Sequence, residues 1–279
     1  MTTPSKTRPA HAQGASDPAP SEQRDARDFA TDHDDHVEFG VPSLVWGPGQ
    51  QRRVALIAER IPLARRRILD IGCGVGQYVR HLRDLPATVV GIDVDLKRLR
   101  EGARSGEGVP GLIVSVAEQL PFAACTFDVV LLNEVIEHVQ DDRVALEEAL
   151  RVLSPGGHVV VYAPNRLFPF ETHGVFWRGD YHFGNFPFVN YLPDSLRDHL
   201  VPHARAYTRG DIERLLRGLD ARALVHTAVY PSFDGIRSRN DRLGGLLQTV
   251  FHQAEETPLR WLGLSHFVIL EKPGGEAGA

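Results

Sequence analysis

The chain has 279 residues, enough for one α/β domain with insertions. Its net charge of −5 at pH 7 argues against the concentrated basic surface that broad nucleic-acid binding needs. No apolar run reaches the ~20 residues that span a bilayer. The two cysteines, Cys73 and Cys125, make no disulfide framework. With no basic-then-apolar leader in view, the expectation is a cytoplasmic protein.

Residues 1–35 are rich in Pro, Ala, Ser, Asp and Gln and nearly devoid of large apolar side chains. Such a segment buries too little surface to offset its ordering entropy, so a disordered tail is expected. His33, Asp34, Asp35 and His36 read as its solvated end rather than as a metal cluster. The ordered domain is expected over 36–273. Trp46-Gly-Pro-Gly49 is a turn, and Val54, Leu56, Ile57 and Ile61 space an amphipathic helix stopped by Pro62. That helix either lies over a ligand or simply packs on a sheet.

Apolar runs then predict strands near 67–71, 88–93, 111–116, 127–133 and 157–163, with helices near 76–84, 95–104, 135–139 and 142–153. The alternation points to an open, doubly wound parallel sheet. Residues 165–207 crowd Pro, Phe, Tyr, Trp, His and Asn together after the fifth strand, on the edge where open α/β sheets bind ligands. This insertion reads as a substrate lid, with an aromatic packing flap or a dimer contact as the other readings. Thr208–Leu219 reads as a helix capped by Thr208, and Ala223–Tyr230 as a sixth strand. A second insertion, 231–265, carries Leu243, Leu246, Leu247, Val250 and Phe251 at helical spacing, a pattern of core or subunit interface. Phe267–Glu271 is the last strand, and 274–279 a Gly-rich tail.

The first strand ends in Asp70 and runs into Gly72, Gly74 and Gly76, where missing Cβ atoms let backbone N–H groups approach a ligand. The dinucleotide fingerprint G-x-G-x-x-G does not fit, because Gln77 holds its third place. Asp70, Asp93 and Glu118 close three successive apolar runs. Three carboxylates around one crevice repel a pyrophosphate and suit a ligand carrying an ammonium and a sulfonium.

Leu69-Asp-Ile-Gly-Cys-Gly-Val-Gly76, Gly91-Ile-Asp-Val94, Ala117-Glu-Gln-Leu-Pro-Phe122, Phe127-Asp-Val-Val-Leu-Leu-Asn-Glu134 and Leu153-Ser-Pro-Gly-Gly157 resemble, in order and spacing, the motifs of class I S-adenosylmethionine-dependent methyltransferases. Within that class the resemblance is to methyltransferase type 11 and the ubiquinone-pathway O-methyltransferases. It implies a Rossmann-like, doubly wound α/β sheet of seven strands, with helices on both faces. The sheet would be mostly parallel, the last strand entering antiparallel between the fifth and sixth. It also implies S-adenosyl-L-methionine as cofactor, held by Asp70, Gly72, Cys73, Gly74, Gly76, Asp93, Val94, Ala117, Glu118 and Asn133. Val116 stands where many relatives carry Asp, which shifts the adenine amino contact towards Glu118.

Methyl transfer to a hydroxyl is helped by a base. Glu134, Glu137 and His138 stand at i, i+3 and i+4, so on a helical turn they share one face. That face can be a Glu-oriented base, a half-site for a divalent metal (Mg or Mn), or a structural element. The Glu-Val-Ile-Glu-His run also resembles that of small-RNA 2′-O-methyltransferases, where a metal lies, but no basic surface accompanies it here. His173 in the lid is a second base candidate, and His173 or His182 could complete a metal site. The catalytic residues expected are therefore His138, Glu137 and His173. The acceptor expected under an aromatic lid is a small molecule or a lipid- or sugar-linked intermediate, in a chain that could form a homodimer. An NAD-dependent oxidoreductase and an inactive cofactor-binding partner subunit are the competing readings.

Overall fold

A computed structural model of the chain describes residues 46–85, 87–104 and 108–274. The tail expected at 1–35, the His33–His36 stretch and the residues beyond 274 lie outside the described residues. In chain order the elements are α1 (Pro48–Ala58), β1 (Arg67–Ile71), α2 (Gln77–Leu82), β2 (Thr88–Asp93), α3 (Leu96–Arg104), β3 (Leu112–Val114), β4 (Phe127–Asn133), α4 (Asp142–Val152) and β5 (Leu153–Pro164). After them come four short strands, β6 (Phe170–Glu171), β7 (Val175–Trp177), β8 (Asp180–His182) and β9 (Phe186–Pro187). The chain closes with α5 (Asp194–Leu200), α6 (Arg209–Leu216), β10 (Arg222–Val229), α7 (Asp234–Arg237), α8 (Asp241–Ala254) and β11 (Ser265–Glu271).

Seven strands make one sheet in the order β10-β11-β5-β4-β1-β2-β3. Neighbours from β3 to β5 pair in parallel, and β11 runs antiparallel to both β5 and β10. This is the expected fold, and the antiparallel insertion separates it from the wholly parallel dinucleotide-binding order. The strands bury both faces by simple alternation. Leu69, Ile71, Val130, Leu132, Val159 and Val161 meet α4 and α6 on one side. Ile68, Val129, Leu131, Val160 and Tyr162 meet α1, α2 and α3 on the other. Each such side chain contributes roughly 1.5–3 kcal/mol on burial. The chain reverses direction across the sheet between β1 and β4, and the crevice at that switch point opens at the carboxyl ends of the strands.

Three local expectations change. Residues 135–139 form a turn, not a helix. The Arg205 guanidinium donates to the carbonyls of Ile136, Val139 and Gln140, and the Tyr207 hydroxyl donates to that of Ile136, so these carbonyls are spent outside a helical ladder. β5 begins at Leu153, not 157: Phe127 pairs with Leu153 and, after a register shift, Val129 with His158, so Pro155-Gly156-Gly157 is accommodated as an irregularity within the strand. The lid folds as two nested hairpins, β6 with β9 outside and β7 with β8 inside. In the second insertion Leu243, Leu246 and Val250 of α8 are exposed in this chain. Among the described residues no helix is long and apolar enough to cross a membrane.

α3 lies directly on the glycine turn. A Cβ on Gly102 would come 2.8 Å from the carbonyl carbon of Val75 and closer still to its oxygen. Gly102→Ala gains up to about 1 kcal/mol of helix propensity, but overpacking against backbone costs about 1–3 kcal/mol. A lower urea-unfolding midpoint is therefore expected. A midpoint at or above wild type would show that the turn yields freely.

Candidate active site

A cavity of about 910 Å³ opens at the carboxyl ends of β1, β2 and β4. Gly72, Asp93, Val94, Ala117, Glu118, Glu137 and His138 line it, together with Ile71, Glu134 and the lid residues Phe176, His203 and Arg205. Asp70, Cys73, Gly74, Gly76, Asn133 and His173 stand behind this lining. Gly72, Gly74 and Gly76 all hold positive φ (70°, 54° and 78°), so the turn needs glycine at each. Nothing lies within 4 Å of where a Cβ on Gly74 would sit.

Asp93, at the tip of β2, ties the turn down: its Oδ2 accepts from Gly74 N–H (2.8 Å) and its Oδ1 from Asp95 N–H (2.8 Å). Asp70 is buried, and its Oδ2 has no hydrogen-bond partner. Burial first, and then the nearby Asp93, push its carboxyl up to about 8. Both side-chain polar atoms of Asn133 are buried and make no well-formed hydrogen bond, although the amide lies close enough to Asp70 to draw its carboxyl down somewhat against burial. Orphaned polar atoms at a site call for a ligand that satisfies them, and a cationic ammonium beside Asp70 and Asn133 does so. The residues present therefore fit an S-adenosylmethionine-type cofactor. The Cys73 thiol is buried and burial raises its pKa far above the ordinary range, so this residue offers backbone only. Glu118 Oε1 already accepts from Gln140 and Asp141 N–H groups ahead of α4.

Glu134 leaves the expected common face. It sits at positive φ (53°) and its Oε1 accepts from Arg53 of α1 (2.5 Å) and from Ser265 (2.7 Å). Burial raises its pKa, but Arg53 and Ser265 outweigh burial and hold it below the ordinary value.

Glu137, His138 and His173 do come together. His138 Nδ1 lies 2.9 Å from the His203 carbonyl oxygen, which can only accept. Nδ1 therefore carries the hydrogen and Nε2 the lone pair. The ring is 42% accessible from the cavity side, and desolvation by the protein packed around it holds it below its ordinary pKa, although Glu137 pulls the other way. Glu137 Oε1 is 3.8 Å from His138 Nε2 and 3.7 Å from His173 Nε2. Burial raises the Glu137 pKa, partly opposed by the two imidazoles. His173 Nδ1 donates to Glu171 Oε1 at 3.0 Å. Burial alone would lower the pKa of His173, but Glu137 and Glu171 outweigh it and push it up to about 10. With Glu171 at Nδ1 and Glu137 towards Nε2, the ring's surroundings favour its doubly protonated form at neutral pH.

One ligand atom from each of Glu137, His138 and His173 falls within 4.8 Å of the others. One carboxylate oxygen and two imidazoles are not the oxygen-rich set that Mg²⁺ or Mn²⁺ takes, and His173 is already engaged as a cation. Mg or Mn, one of the three readings of this face, is not matched by the donor set, and His182 is exposed and outside this group. Overnight dialysis against EDTA is expected to leave turnover and melting temperature unchanged. A loss restored by Mg²⁺ or Mn²⁺ would reverse that conclusion.

The lid's aromatic wall is also corrected. Phe176 is the one aromatic lid residue lining the cavity, while Trp177, Phe183 and Phe188 are 58%, 61% and 64% exposed. The lid rings Phe186 and Tyr181 are taken up in packing within the lid itself, Phe186 against Val175, Val201 and Ala204 and Tyr181 against Phe176 and His203. Sequence reasoning missed Arg53, Glu171, Arg197, His203 and Arg205. Glu171 stands two residues before His173 and could have been noticed there; the contacts Arg53–Glu134, Arg197–Glu171, His203–His173 and Arg205–Val139 join residues 26–81 apart, which spacing does not reveal.

Residues 69–161 match the family model described as a methyltransferase domain. Curated relatives include ubiquinone biosynthesis O-methyltransferases. That of Thiobacillus denitrificans is 34% identical over 118 residues, 41% of this chain and 51% of that protein. That of Rhizobium rhizogenes is 37% identical over 119 residues, 41% and 48% of the two chains. The chain spans about half the length of the curated relatives it matches. A crystallised S-adenosylmethionine-dependent methyltransferase from Mesorhizobium loti superposes with a TM-score of 0.53 at 18% identity, covering 78% of this chain and 96% of that one. One from Methanosarcina mazei does so with a TM-score of 0.53 at 18% identity, covering 83% and 100%. Residues 69–161 thus carry a methyltransferase domain, and the chain shares the fold of the crystallised S-adenosylmethionine-dependent methyltransferases.

Proposed function

We propose that this chain transfers a methyl group from S-adenosylmethionine to an oxygen of a small-molecule or lipid- or sugar-linked acceptor. The observation that supports oxygen as the target is His138, with Nδ1 tied to the His203 carbonyl and a lone pair on Nε2 at the cavity wall. The family resemblance to O-methyltransferases points the same way. When bound, the cofactor supplies an electrophilic methyl on a sulfonium and leaves as a neutral thioether.

In this reading Asp93 accepts the ribose hydroxyls, Gly72, Cys73, Gly74 and Gly76 supply close-approaching backbone, and Val94, Ala117 and Glu118 flank the adenine. Asp70 and Asn133 meet the aminoacyl end. Most of the rate comes from holding acceptor and donor in line and dry. His138 Nε2 takes the acceptor's hydroxyl proton, and Glu137, 3.8 Å away, stabilises the imidazolium that results. His173 is placed as a charged neighbour of Glu137 rather than as a second base.

The reading is tested by calorimetry with S-adenosylmethionine and S-adenosylhomocysteine, followed by a screen of hydroxylated acceptors for S-adenosylhomocysteine release. No heat with either cofactor would end it. A second result is expected from the same titrations. Asp70 is mostly protonated at pH 7 when its pKa is near 8, and a cationic ligand ionises it. Binding at pH 7 should release up to about one proton, read from the dependence of apparent enthalpy on buffer ionisation heat. Affinity should rise with pH and level off above about pH 8. No proton release would place the ammonium elsewhere.

A further inference from the structure

Behind the cavity wall lies a buried polar chain that the methyl-transfer reading leaves without a role. Arg197 of α5 is 1% exposed, the largest fully buried side chain among the described residues. Its Nη2 donates to Glu171 Oε2 (2.8 Å), its Nη1 to the Ala204 carbonyl (2.9 Å) and its Nε to Asn190 Oδ1 (3.2 Å). Glu171 Oε1 in turn accepts from both the backbone N–H (2.9 Å) and the Nδ1–H (3.0 Å) of His173. The far nitrogen of the same ring faces Glu137 at 3.7 Å, and Glu137 faces His138 at 3.8 Å.

A buried Arg–Glu pair is costly to desolvate and is weak evidence for stability by itself. Here it does something more specific. A carboxylate bonded to one ring nitrogen fixes the tautomer and orientation of an imidazole and favours its charged form. The backbone is fixed as well: the Tyr181 hydroxyl and His203 Nε2–H both donate to the His173 carbonyl (2.7 and 2.9 Å). His203 supplies in turn the carbonyl that sets the His138 tautomer. One rigid unit therefore orients both imidazoles.

We propose that Arg197 and Glu171 form a buried positioning pair that grips His173 as an imidazolium, and that this cation, acting through Glu137, keeps His138 neutral and able to accept a proton. The proposal rests on the reading of His138 as the base. The balance of charge is local. Glu137 favours a proton on His138; desolvation opposes it first, and a cation on the other side of Glu137 adds to that opposition. The charged and titratable groups around His173 are Glu134, Glu137 and His138 from the turn after β4, Glu171 from β6, Arg197 with Asp198 from α5, and His203. Burial opposes the charge on His173, Glu137 and Glu171 outweigh burial, and Glu171 is held down to about 2 by His173 and Arg197 against its own burial.

The test needs no acceptor. Imidazole ¹⁵N chemical shifts of the full chain, labelled at histidine and followed from pH 5 to 10.5, report the protonation and tautomer of each ring. In wild type both His173 nitrogens are expected to remain protonated through pH 8, while His138 shows hydrogen on Nδ1 alone at pH 7. In Glu171→Gln the His173 midpoint should fall by about 2 pH units or more, and the His138 midpoint should rise. Arg197→Lys, which keeps the charge and loses the fork, should move both midpoints the same ways by less. A neutral His173 at pH 7 in wild type overturns the proposal even if neither variant folds. So does a folded Glu171→Gln protein in which neither ring moves, since packing alone predicts no opposed shifts. Hydrogen on His138 Nε2 instead of Nδ1 would refute the base reading separately, leaving the grip on His173 to stand or fall on its own signal.

Discussion

Asp93→Ala is expected to weaken S-adenosylhomocysteine binding by about a hundredfold or more. A carboxylate accepting from two ribose hydroxyls makes two charge-assisted hydrogen bonds, each worth roughly 1.5–3 kcal/mol. The same change strips the partners from the N–H groups of Gly74 and Asp95. The glycine turn then loses the anchor that holds its backbone at the ligand. Calorimetry measures the first effect directly, and a thermal melt shows whether the protein is still folded when it is measured. A dissociation constant within a few-fold of wild type would mean that the ribose lies against other groups and that the acidic tip of β2 is only structural.

His138→Gln should leave cofactor affinity unchanged and reduce turnover by about 10²–10⁴-fold, the range that a positioned base contributes. Glutamine can still donate to the His203 carbonyl, so the local hydrogen bond need not be lost. The wild-type rate should climb as pH rises through a value below 6.5, where His138 becomes neutral, and then hold level. The variant should show no such rise. Rates are read as S-adenosylhomocysteine release with the acceptor found by screening. Turnover within about threefold of wild type would remove the base from the mechanism and leave alignment as the whole of it.

The His173–Glu171 pair also predicts how stability depends on pH. His173 has a folded value near 10, above the ordinary 6.5, so folding binds a proton that the unfolded chain releases between those values. Its contribution is complete below 6.5, falls with rising pH and is gone above about 10. Glu171 has a folded value near 2, below the ordinary 4.5, so its contribution is present above 4.5 and lost as pH falls through 2. Together they stabilise most between about pH 4.5 and 6.5.

Much of this was readable before any coordinates. The strands at 67–71, 88–93 and 127–133 agree with the structure to the residue, because a parallel strand buried on both faces must be continuously apolar and its end is marked by a polar tip or a glycine. The acidic residues and glycines at those tips converge because the topology puts every strand's carboxyl end on one edge. The turn at 135–139 was misread for the opposite reason. Its sequence has helical spacing, but whether a helix forms depends on what claims its carbonyls, and here Arg205 and Tyr207, more than 60 residues away, claim them.

The chain's apolar periodicity by itself marked most strands of the parallel sheet and the acidic, glycine-lined crevice at their ends, while the seven-strand order with its antiparallel last strand followed from the resemblance to the methyltransferase motifs. Only the tertiary structure decided which way side chains of the lid and the β4 turn point. It separated Glu134, paired to Arg53, from Glu137 and His138, and it left Phe170, Trp177, Phe183, Phe188 and Tyr191 of the lid exposed. It also brought Glu171 and Arg197 together behind the cavity and His203 to its wall. Protonation states follow from those long-range contacts and from burial. A histidine's chemistry is set by every carbonyl or carboxylate a few ångströms away: Glu137 and Glu171 are near in sequence to His138 and His173, but the His203 carbonyl and the Arg197 that anchors Glu171 are not.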